Sequence, residues 1–344
     1  MRWTTSLVVL TGLGATVAAL ALPFQPPSAS LLVLDKGDQS LAIVDAASLN
    51  VVGRVPTGPD PHEVAASPDG TRAYVSNYTA GNGADHTITV IDLQQRKAIA
   101  PIDLGALDRP HGVEFSGDDL YFTAEGSKVV GRYDPSAARI DWVMGTGQDR
   151  THMIIVAPGA NELFTTNVSS GTVSILERSS GAPFGRGRGG RGGAGDWHVT
   201  TVPVGRGAEG FDLSPDGKTL WVANAQDATV SIIDVATKKV TATVPVSFRA
   251  ANRLKFTPDG RLALISDLAG HELIVMDVAS RRETKRIDVK GGAAGLLVEP
   301  DGARAFLSVG SQNAVAVIDL RSLEVTTWIP TGRNPDGLAW AVRR

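Results

Sequence analysis

Short apolar stretches alternate with polar turns along almost the whole chain. Pro-Asp-Gly turns stand within four of these units: "SPDGTRAYVSN" from Ser67, "SPDGKTLWVAN" from Ser214, "TPDGRLALISD" from Thr257 and "EPDGARAFLSV" from Glu299. Asp-Gly between apolar runs favours a β-hairpin, because glycine tolerates positive φ. Seven further strands end in an acidic residue, at Asp45, Asp92, Asp134, Glu177, Asp234, Asp277 and Asp319. The pattern predicts an all-β chain whose acidic side chains bind amides of the following turn.

The units repeat with a nearly constant period. The position that opens the strand before each hairpin, called here the ring position, holds His62, His111, His152, Glu209, Asn252, Ala294 and Asp336. Successive spacings are 49, 41, 57, 43, 42 and 42 residues. A period in the low forties with four short strands is typical of a β-propeller blade. We predict one domain over residues 30–344, a single seven-bladed β-propeller with four antiparallel strands per blade.

Two long spacings and the chain ends fit the same architecture. The first long spacing holds an enlarged loop, "YTAGNGADH" from Tyr78, and the other holds a Gly/Arg-rich loop insertion at 179–196. The N-terminal part supplies strands near Leu31–Leu34, Leu41–Asp45 and Val51–Val55, and "GLAWAV" from Gly337 supplies the missing inner strand. Joining the N- and C-terminal strands in one blade closes the ring and removes open sheet edges.

Composition narrows the classes of function. The 344 residues carry a net charge of −3, which favours neither a nucleic-acid partner nor a basic membrane binder. The run "GRGRGGRGG" from Gly185 is therefore interpreted as a surface loop. The absence of cysteine excludes disulfides, thiol nucleophiles and thiolate-bound metal.

The N-terminus predicts export. Arg2 is followed by an apolar stretch from Ser6 that is rich in small residues, which is typical of a signal peptide. We predict a signal peptide over 1–29, cleaved within 21–30, and a periplasmic or secreted protein without a transmembrane span in its mature form. An uncleaved N-terminal anchor is the alternative.

Several strands resemble a known repeat. "AYVSN" from Ala73, "LWVAN" from Leu220 and the strands "ITVID", "VSIID" and "VAVID" resemble the YVTN-type β-propeller repeat, over nearly the whole mature chain. Lactonase-like seven-bladed propellers also carry a Pro-His pair before an inner strand. Pro61-His62 and Pro110-His111 match that pair, and Thr151-His152 departs from it. The resemblance implies a propeller and suggests lactonase chemistry.

The ring position carries the candidate chemistry. A residue type that recurs in all seven blades is needed for the blade structure. The ring position instead changes from blade to blade, which favours a role in a specific site. Inner strands line the central tunnel, so these side chains are expected to meet at one mouth. Three imidazoles and a carboxylate suit direct ligation of zinc, iron or copper, and the candidate ligands are His62, His111, His152 and Glu209. Alternatively, Glu209 orients a histidine, or the histidines only bind loop carbonyls and fill the mouth.

Charged residues beside this position suggest a substrate. Arg109 and Arg150 are expected to hold a carboxylate or phosphate, with Asn252, Arg253 and Asp336 completing the substrate contacts. Pairing of the arginines with nearby acids is the alternative. Glu209 or Glu125 is the expected proton-transfer group.

The sequence therefore favours an exported, monomeric, metal-assisted hydrolase or lyase, lactonase-like, that acts on a small anionic molecule. A non-enzymatic binding or scaffold propeller of the cell envelope is one alternative. A copper or other redox metal-handling protein is another.

Overall fold

The computed structural model describes residues 28–81, 83–179 and 197–344. The predicted signal peptide lies outside the described residues except for Ser28 and Ala29, and the Gly/Arg-rich insertion lies outside them except for Ser179. Within the described ranges, none of the helices has the length and apolar character of a membrane span.

Seven four-stranded antiparallel sheets are arranged in a ring, which confirms the predicted β-propeller. Blade 7 contains β1 (Ala29–Asp35), β2 (Ser40–Asp45) and β3 (Val51–Pro56). Blade 1 contains β4 (Pro61–Ala66), β5 (Arg72–Asn77), β8 (Thr87–Asp92) and β9 (Lys97–Asp103), with a small hairpin of β6 (Thr79–Ala80) and β7 (Gly83–Ala84) in its enlarged loop. Blade 2 contains β10 (Pro110–Ser116), β11 (Asp119–Ala124), β12 (Val129–Asp134) and β13 (Arg139–Gly145).

The remaining blades follow the same order from the tunnel outward. Blade 3 contains β14 (Thr151–Val156), β15 (Glu162–Asn167), β16 (Thr172–Arg178) and β17 (Trp197–Pro203). Blade 4 contains β18 (Ala208–Leu213), β19 (Thr219–Asn224), β20 (Thr229–Asp234) and β21 (Lys239–Pro245). Blade 5 contains β22 (Ala251–Phe256), β23 (Leu262–Asp267), β24 (Glu272–Asp277) and β25 (Arg282–Asp288). Blade 6 contains β26 (Ala293–Val298), β27 (Arg304–Val309), β28 (Ala314–Asp319) and β29 (Glu324–Pro330). The inner strand of blade 7 is β30 (Pro335–Val342), and short 3-10 helices span Lys36–Asp38 and Gly310–Gln312.

The two ends of the chain meet in blade 7. Strand β30 pairs antiparallel with β1, with Leu31 opposite Trp340 and Val33 opposite Leu338. The sheet order β3-β2-β1-β30 places the C-terminal strand at the tunnel, as predicted.

The repeated sequence features have the predicted structural roles. All four Pro-Asp-Gly glycines adopt positive φ, from 67° at Gly70 to 74° at Gly302. Six of the seven acidic strand ends accept a backbone N–H three residues later; the Ser48 amide, for example, lies 2.7 Å from Asp45. Glu177 instead pairs with Lys238 at 2.9 Å. Buried aromatic side chains at matched second-strand positions fill the space between blades, namely Tyr74, Tyr121, Phe164, Trp221 and Phe306.

Hydroxyl groups fix the ring position of each following blade. On five second strands a Ser or Thr hydroxyl donates to the backbone carbonyl of the ring-position residue next door, at 2.6–2.9 Å: Ser76 to His111, Thr123 to His152, Thr166 to Glu209, Ser266 to Ala294 and Ser308 to Asp336. Close approach of neighbouring inner strands requires glycine at some points. A Cβ on Gly112 would lie only 2.9 Å from the His152 carbonyl oxygen.

Replacing Thr123 by valine should destabilise the protein by about 1–3 kcal/mol, because it leaves buried polar groups unpaired. The Thr123 hydroxyl donates to the His152 carbonyl at 2.6 Å and accepts from the Gly112 amide at 2.9 Å. Thr165 is the matched control, since it is fully buried and its hydroxyl has no partner among the described residues. Thr165→Val should be neutral or stabilising in denaturant unfolding. Equal losses in the two variants would contradict this role for Thr123.

Candidate functional site

The ring-position side chains of blades 1 to 4 form a continuous row. The ring centroids of His62 and His111 are 4.8 Å apart, and those of His111 and His152 are 3.7 Å apart. Glu209 continues the row, with its Oε1 atom 2.8 Å from His152 Nε2. The structure thus brings the three histidines and Glu209 together at one mouth of the tunnel.

The tightest group in this row contains Glu125 rather than His62. Ligand atoms of His111, Glu125 and His152 all lie within 4.8 Å of one another. Glu125 follows strand β11, and its Oε1 atom bonds His152 Nδ1. The three residues are 2%, 5% and 3% exposed, so the group is almost fully shielded from solvent.

His152 lies between two carboxylates. Glu125 bonds its Nδ1, and Glu209 forms an ion pair with its Nε2. Burial alone lowers the pKa of His152, but the two carboxylates outweigh it and raise that pKa to about 9. Burial likewise opposes ionisation of Glu209, yet the His152 charge lowers the pKa of Glu209 to about 2. Burial also opposes ionisation of Glu125, but the bond to His152, the His152 charge, the Tyr78 hydroxyl and the Arg150 charge together lower its pKa.

His111 supplies a neutral imidazole. Burial, reinforced by the positive charge of His152, holds the pKa of His111 well below its usual range. Its Nδ1 atom is buried and has no hydrogen-bond partner in the part of the chain that the structure describes. A neutral imidazole together with Glu125 and His152 is a suitable donor set for a divalent metal.

His62 is turned toward the rim. Lys36, directly after β1, places its Nζ atom 2.7 Å from His62 Nε2 and 3.2 Å from Asp60 Oδ1. Asp60 is also 3.4 Å from His62 Nε2, and a bond from that imidazole lowers the pKa of Asp60. Asp336 lies 3.9 Å from Lys36 Nζ. The Lys36 ammonium therefore lies against the nitrogen of His62 that a metal would need.

Tyr78 covers the other side of the histidine row. Its hydroxyl donates to Glu125 Oε2 at 2.5 Å. Its ring centroid lies 4.7 Å from that of His62 and 5.7 Å from that of His111. The Arg109 guanidinium lies 5.8 Å above the Tyr78 ring.

Lys36, Tyr78 and Glu125 belong to a second set of matched positions, called here the upper ring. Each upper-ring residue directly follows a second strand, and its amide donates to the carbonyl two residues before a ring position. The set consists of Lys36, Tyr78, Glu125, Val168, Ala225, Leu268 and Gly310. Sequence analysis singled out only Glu125, although the same repeat comparison would have found Tyr78 and Lys36.

The predicted substrate residues occupy different places. Arg150 is exposed at the mouth, with its Nε atom 3.6 Å from Glu125 Oε2, and Arg109 is exposed beside Tyr78. Asn252 lies at the ring position of blade 5, and its Oδ1 atom is buried and unpartnered within the described ranges. Arg253 is 5% exposed and bonds Glu63 across the tunnel, so it forms the floor of the site.

Further from the mouth, three charged side chains share the tunnel. The Val156 amide donates to Glu114 at 3.2 Å, and the Phe256 amide donates to Asp212 at 2.9 Å. Lys255 Nζ is 3.5 Å from Asp212. Burial raises the pKa of Glu114 to about 7, although the charge of Lys255 and the Val156 amide oppose that rise.

Glu114→Gln should flatten the pH dependence of stability. Because the folded-state pKa of Glu114 is about 7 and the reference value is 4.5, the folded protein binds this proton more tightly than the unfolded chain. Its stabilising effect is full below pH ~4.5 and is lost as the pH rises to ~7. Denaturant unfolding at acid and alkaline pH should show a smaller loss in Glu114→Gln than in the wild type. Parallel pH profiles would contradict the assignment.

Together the fold and the site define a seven-bladed β-propeller with a buried His-Glu-His group at one tunnel mouth. Solved structures share this fold at low sequence identity. A functionally unknown protein from Desulfotomaculum acetoxidans has a TM-score of 0.72 at 13% identity, over 92% of this chain and 99% of its own. Hydrazine synthase from Kuenenia stuttgartiensis gives 0.68 at 18% identity, over 89% of this chain and 99% of its own. Dihydro-heme d1 dehydrogenase NirN in complex with DHE gives 0.61 at 17% identity, over 92% of this chain and 76% of its own.

These similarities show the fold alone. No family model matches the chain, so the YVTN-type repeat stays a resemblance. No curated protein matches it either.

Proposed function

We propose that this protein is an enzyme that holds one divalent transition metal at His111, His152 and Glu125 and acts on a small anionic substrate. The observation that carries the proposal is the buried group whose ligand atoms lie within 4.8 Å of one another. Its member His111 also has a buried nitrogen, Nδ1, without a hydrogen-bond partner among the described residues. Two imidazoles and one carboxylate are a donor set of catalytic zinc sites, and iron and copper accept the same ligands. Binding would replace the proton of His152 by the metal as the positive charge between the carboxylates.

Metal-assisted hydrolysis or elimination is the chemistry that fits the surrounding residues. His111, His152 and Glu125 would hold the metal, which would supply Lewis acidity toward a carbonyl and toward a water molecule. Glu209, ionised and 2.8 Å from His152, is positioned to accept a proton. Arg109 and Arg150 are exposed at the mouth and suit a substrate carboxylate or phosphate. A lactone with an anionic group combines both features and agrees with the lactonase-like Pro-His pairs. The fold itself selects no chemistry.

One observation favours a second candidate, acid–base catalysis without a metal. His152 carries a proton between Glu125 and Glu209, with its pKa raised to about 9. An imidazolium held between two carboxylates donates a proton and takes it back without leaving its position. The same substrate class and the same arginines would serve this mechanism.

The cell compartment is proposed on the sequence alone. The positive start at Arg2 and the apolar stretch from Ser6 support export to the periplasm or the medium. N-terminal sequencing of the exported protein should find a start between Leu22 and Leu31.

Metal reconstitution tests the proposed function. The protein is stripped with a chelator and titrated separately with zinc, iron(II) and copper(II), and we expect about one equivalent of at least one metal to bind tightly. Lactone hydrolysis by the loaded protein, absent from the stripped protein, is the expected activity. Substoichiometric uptake of all three metals would overturn the metal site. Activity that survives stripping would favour the acid–base mechanism, and tight copper binding without hydrolysis would favour metal handling.

A further inference from the structure

Tyr78 contacts three residues of the candidate site, namely His62, His111 and Glu125. It is the one aromatic residue among the seven upper-ring positions, all of which the structure describes. Its hydroxyl donates to Glu125 Oε2, and its ring packs against His62 and His111. One side chain from blade 1 thus contacts a carboxylate of blade 2 and two histidines.

The backbone around Tyr78 is well anchored. Its amide donates to the Asp60 carbonyl at 3.1 Å, and the Thr79 hydroxyl donates to Asp60 Oδ2 at 2.6 Å. The phenol is therefore placed by the enlarged loop of blade 1, at the base of the β6–β7 hairpin. Burial and the bond to Glu125 raise the pKa of Tyr78 to about 12, so the hydroxyl keeps its proton and remains a donor near neutral pH.

We propose that Tyr78 is a positioning residue of the site, whose hydroxyl fixes Glu125. This inference rests on the proposed function. A free carboxylate rotates and exchanges its two oxygens. With Oε2 bound by the phenol, Oε1 is directed at His152 Nδ1. Glu125 is thereby held within the group that it forms with His111 and His152. Partners that orient a metal ligand in this way strongly influence metal affinity.

Zinc affinity tests the proposal directly. Tyr78→Phe removes the hydroxyl and keeps the contacts of the aromatic ring to the histidines. If Tyr78 acted only through the packing of its aromatic ring, this variant would bind zinc as tightly as the wild type. We expect zinc to bind ~10–100-fold more weakly to Tyr78→Phe in competition with a chromophoric chelator. Tyr133→Phe is the matched control, because Tyr133 lies in the groove between blades 1 and 2 away from the mouth. Equal zinc affinity in Tyr78→Phe and the control overturns the proposal.

A double-mutant cycle separates this proposal from the proposed function. Tyr78→Phe, Glu125→Gln and the double variant are unfolded in denaturant after metal removal. We expect the two changes to be non-additive, because the residues share a hydrogen bond. Additive losses mean that the phenol does not hold Glu125 and also overturn the proposal. If the wild type binds no zinc, the proposed function fails, and the cycle alone decides whether Tyr78 positions Glu125.

Discussion

Replacing His111 by alanine should abolish stoichiometric metal binding while the seven-bladed ring stays folded. His111 belongs to the His-Glu-His group, and its Nδ1 atom has no hydrogen-bond partner within the described ranges. Its lowered pKa keeps the imidazole neutral. Without it only Glu125 and His152 remain, and they bond each other. Loss of a residue that only hydrogen-bonds a metal ligand weakens metal binding by up to ~100-fold. Because His111 is itself a proposed ligand, we expect its loss to weaken zinc binding by more than that, and activity to fall with it.

The stability cost of His111→Ala should be moderate. Although it lies at the tunnel mouth, His111 is only 2% exposed and packs against His62, Tyr78 and His152. The loss should be about 1–3 kcal/mol, within the range of ordinary buried substitutions.

An exposed histidine provides the control for this prediction. His198→Ala changes the same residue type on the outer strand β17. It should leave metal content and stability unchanged. If His111→Ala retained wild-type zinc affinity, the His-Glu-His group could not be the metal site, and metal-free acid–base catalysis would be favoured.

The blade architecture was predictable because it is periodic. Strand alternation, Pro-Asp-Gly turns and acidic strand ends recur at nearly constant spacing, and each reflects a local requirement. The closing blade followed from counting strands at the two ends. The convergence of His62, His111 and His152 followed from their matched places in neighbouring blades.

Contacts across the tunnel were harder to foresee. Arg253 was interpreted as a substrate residue from its place beside the ring position, whereas its partner Glu63 is 190 residues away in the chain. Both residues directly follow a ring position. The seven residues in that place are Glu63, Gly112, Met153, Gly210, Arg253, Gly295 and Gly337. Glu63 and Arg253 are the only charged residues of the seven. Once the blades are aligned as a ring, this pattern predicts that the two side chains pair.

The different roles of His62, His111 and His152 also could not be predicted from the sequence, because they depend on neighbouring side chains in three dimensions. His62 and His111 have the same sequence signature, Pro-His before an inner strand. Only the structure shows that Lys36 occupies the rim side of His62, while Glu125 stands beside His152. These neighbours come from loops after the second strands, which vary in sequence between blades.

Breaking the Glu63–Arg253 pair should produce the largest loss of stability of any single substitution considered for this protein. Both side chains are almost fully buried, at 10% and 6% exposed. Removing one partner leaves a buried charge without its hydrogen-bonded counter-ion, which typically costs ~3–5 kcal/mol. Arg253→Met and Glu63→Gln should each show this loss in denaturant unfolding, measured near neutral pH.

The double variant and a surface pair decide whether the buried charge is the cause. Arg253→Met combined with Glu63→Gln removes both charges, and it should be more stable than either single variant, because neither charge is then left unpaired. Arg206→Met removes the mostly exposed partner of Asp227 and should change stability by at most ~1 kcal/mol. The opposite result is a double variant that loses as much unfolding free energy as the two single variants added together. That result would show that packing of the Arg253 side chain, rather than its charge, maintains the tunnel floor. Rescue in the double variant would instead identify the pair as an electrostatic bridge between blades 1 and 5, directly beneath the histidine site.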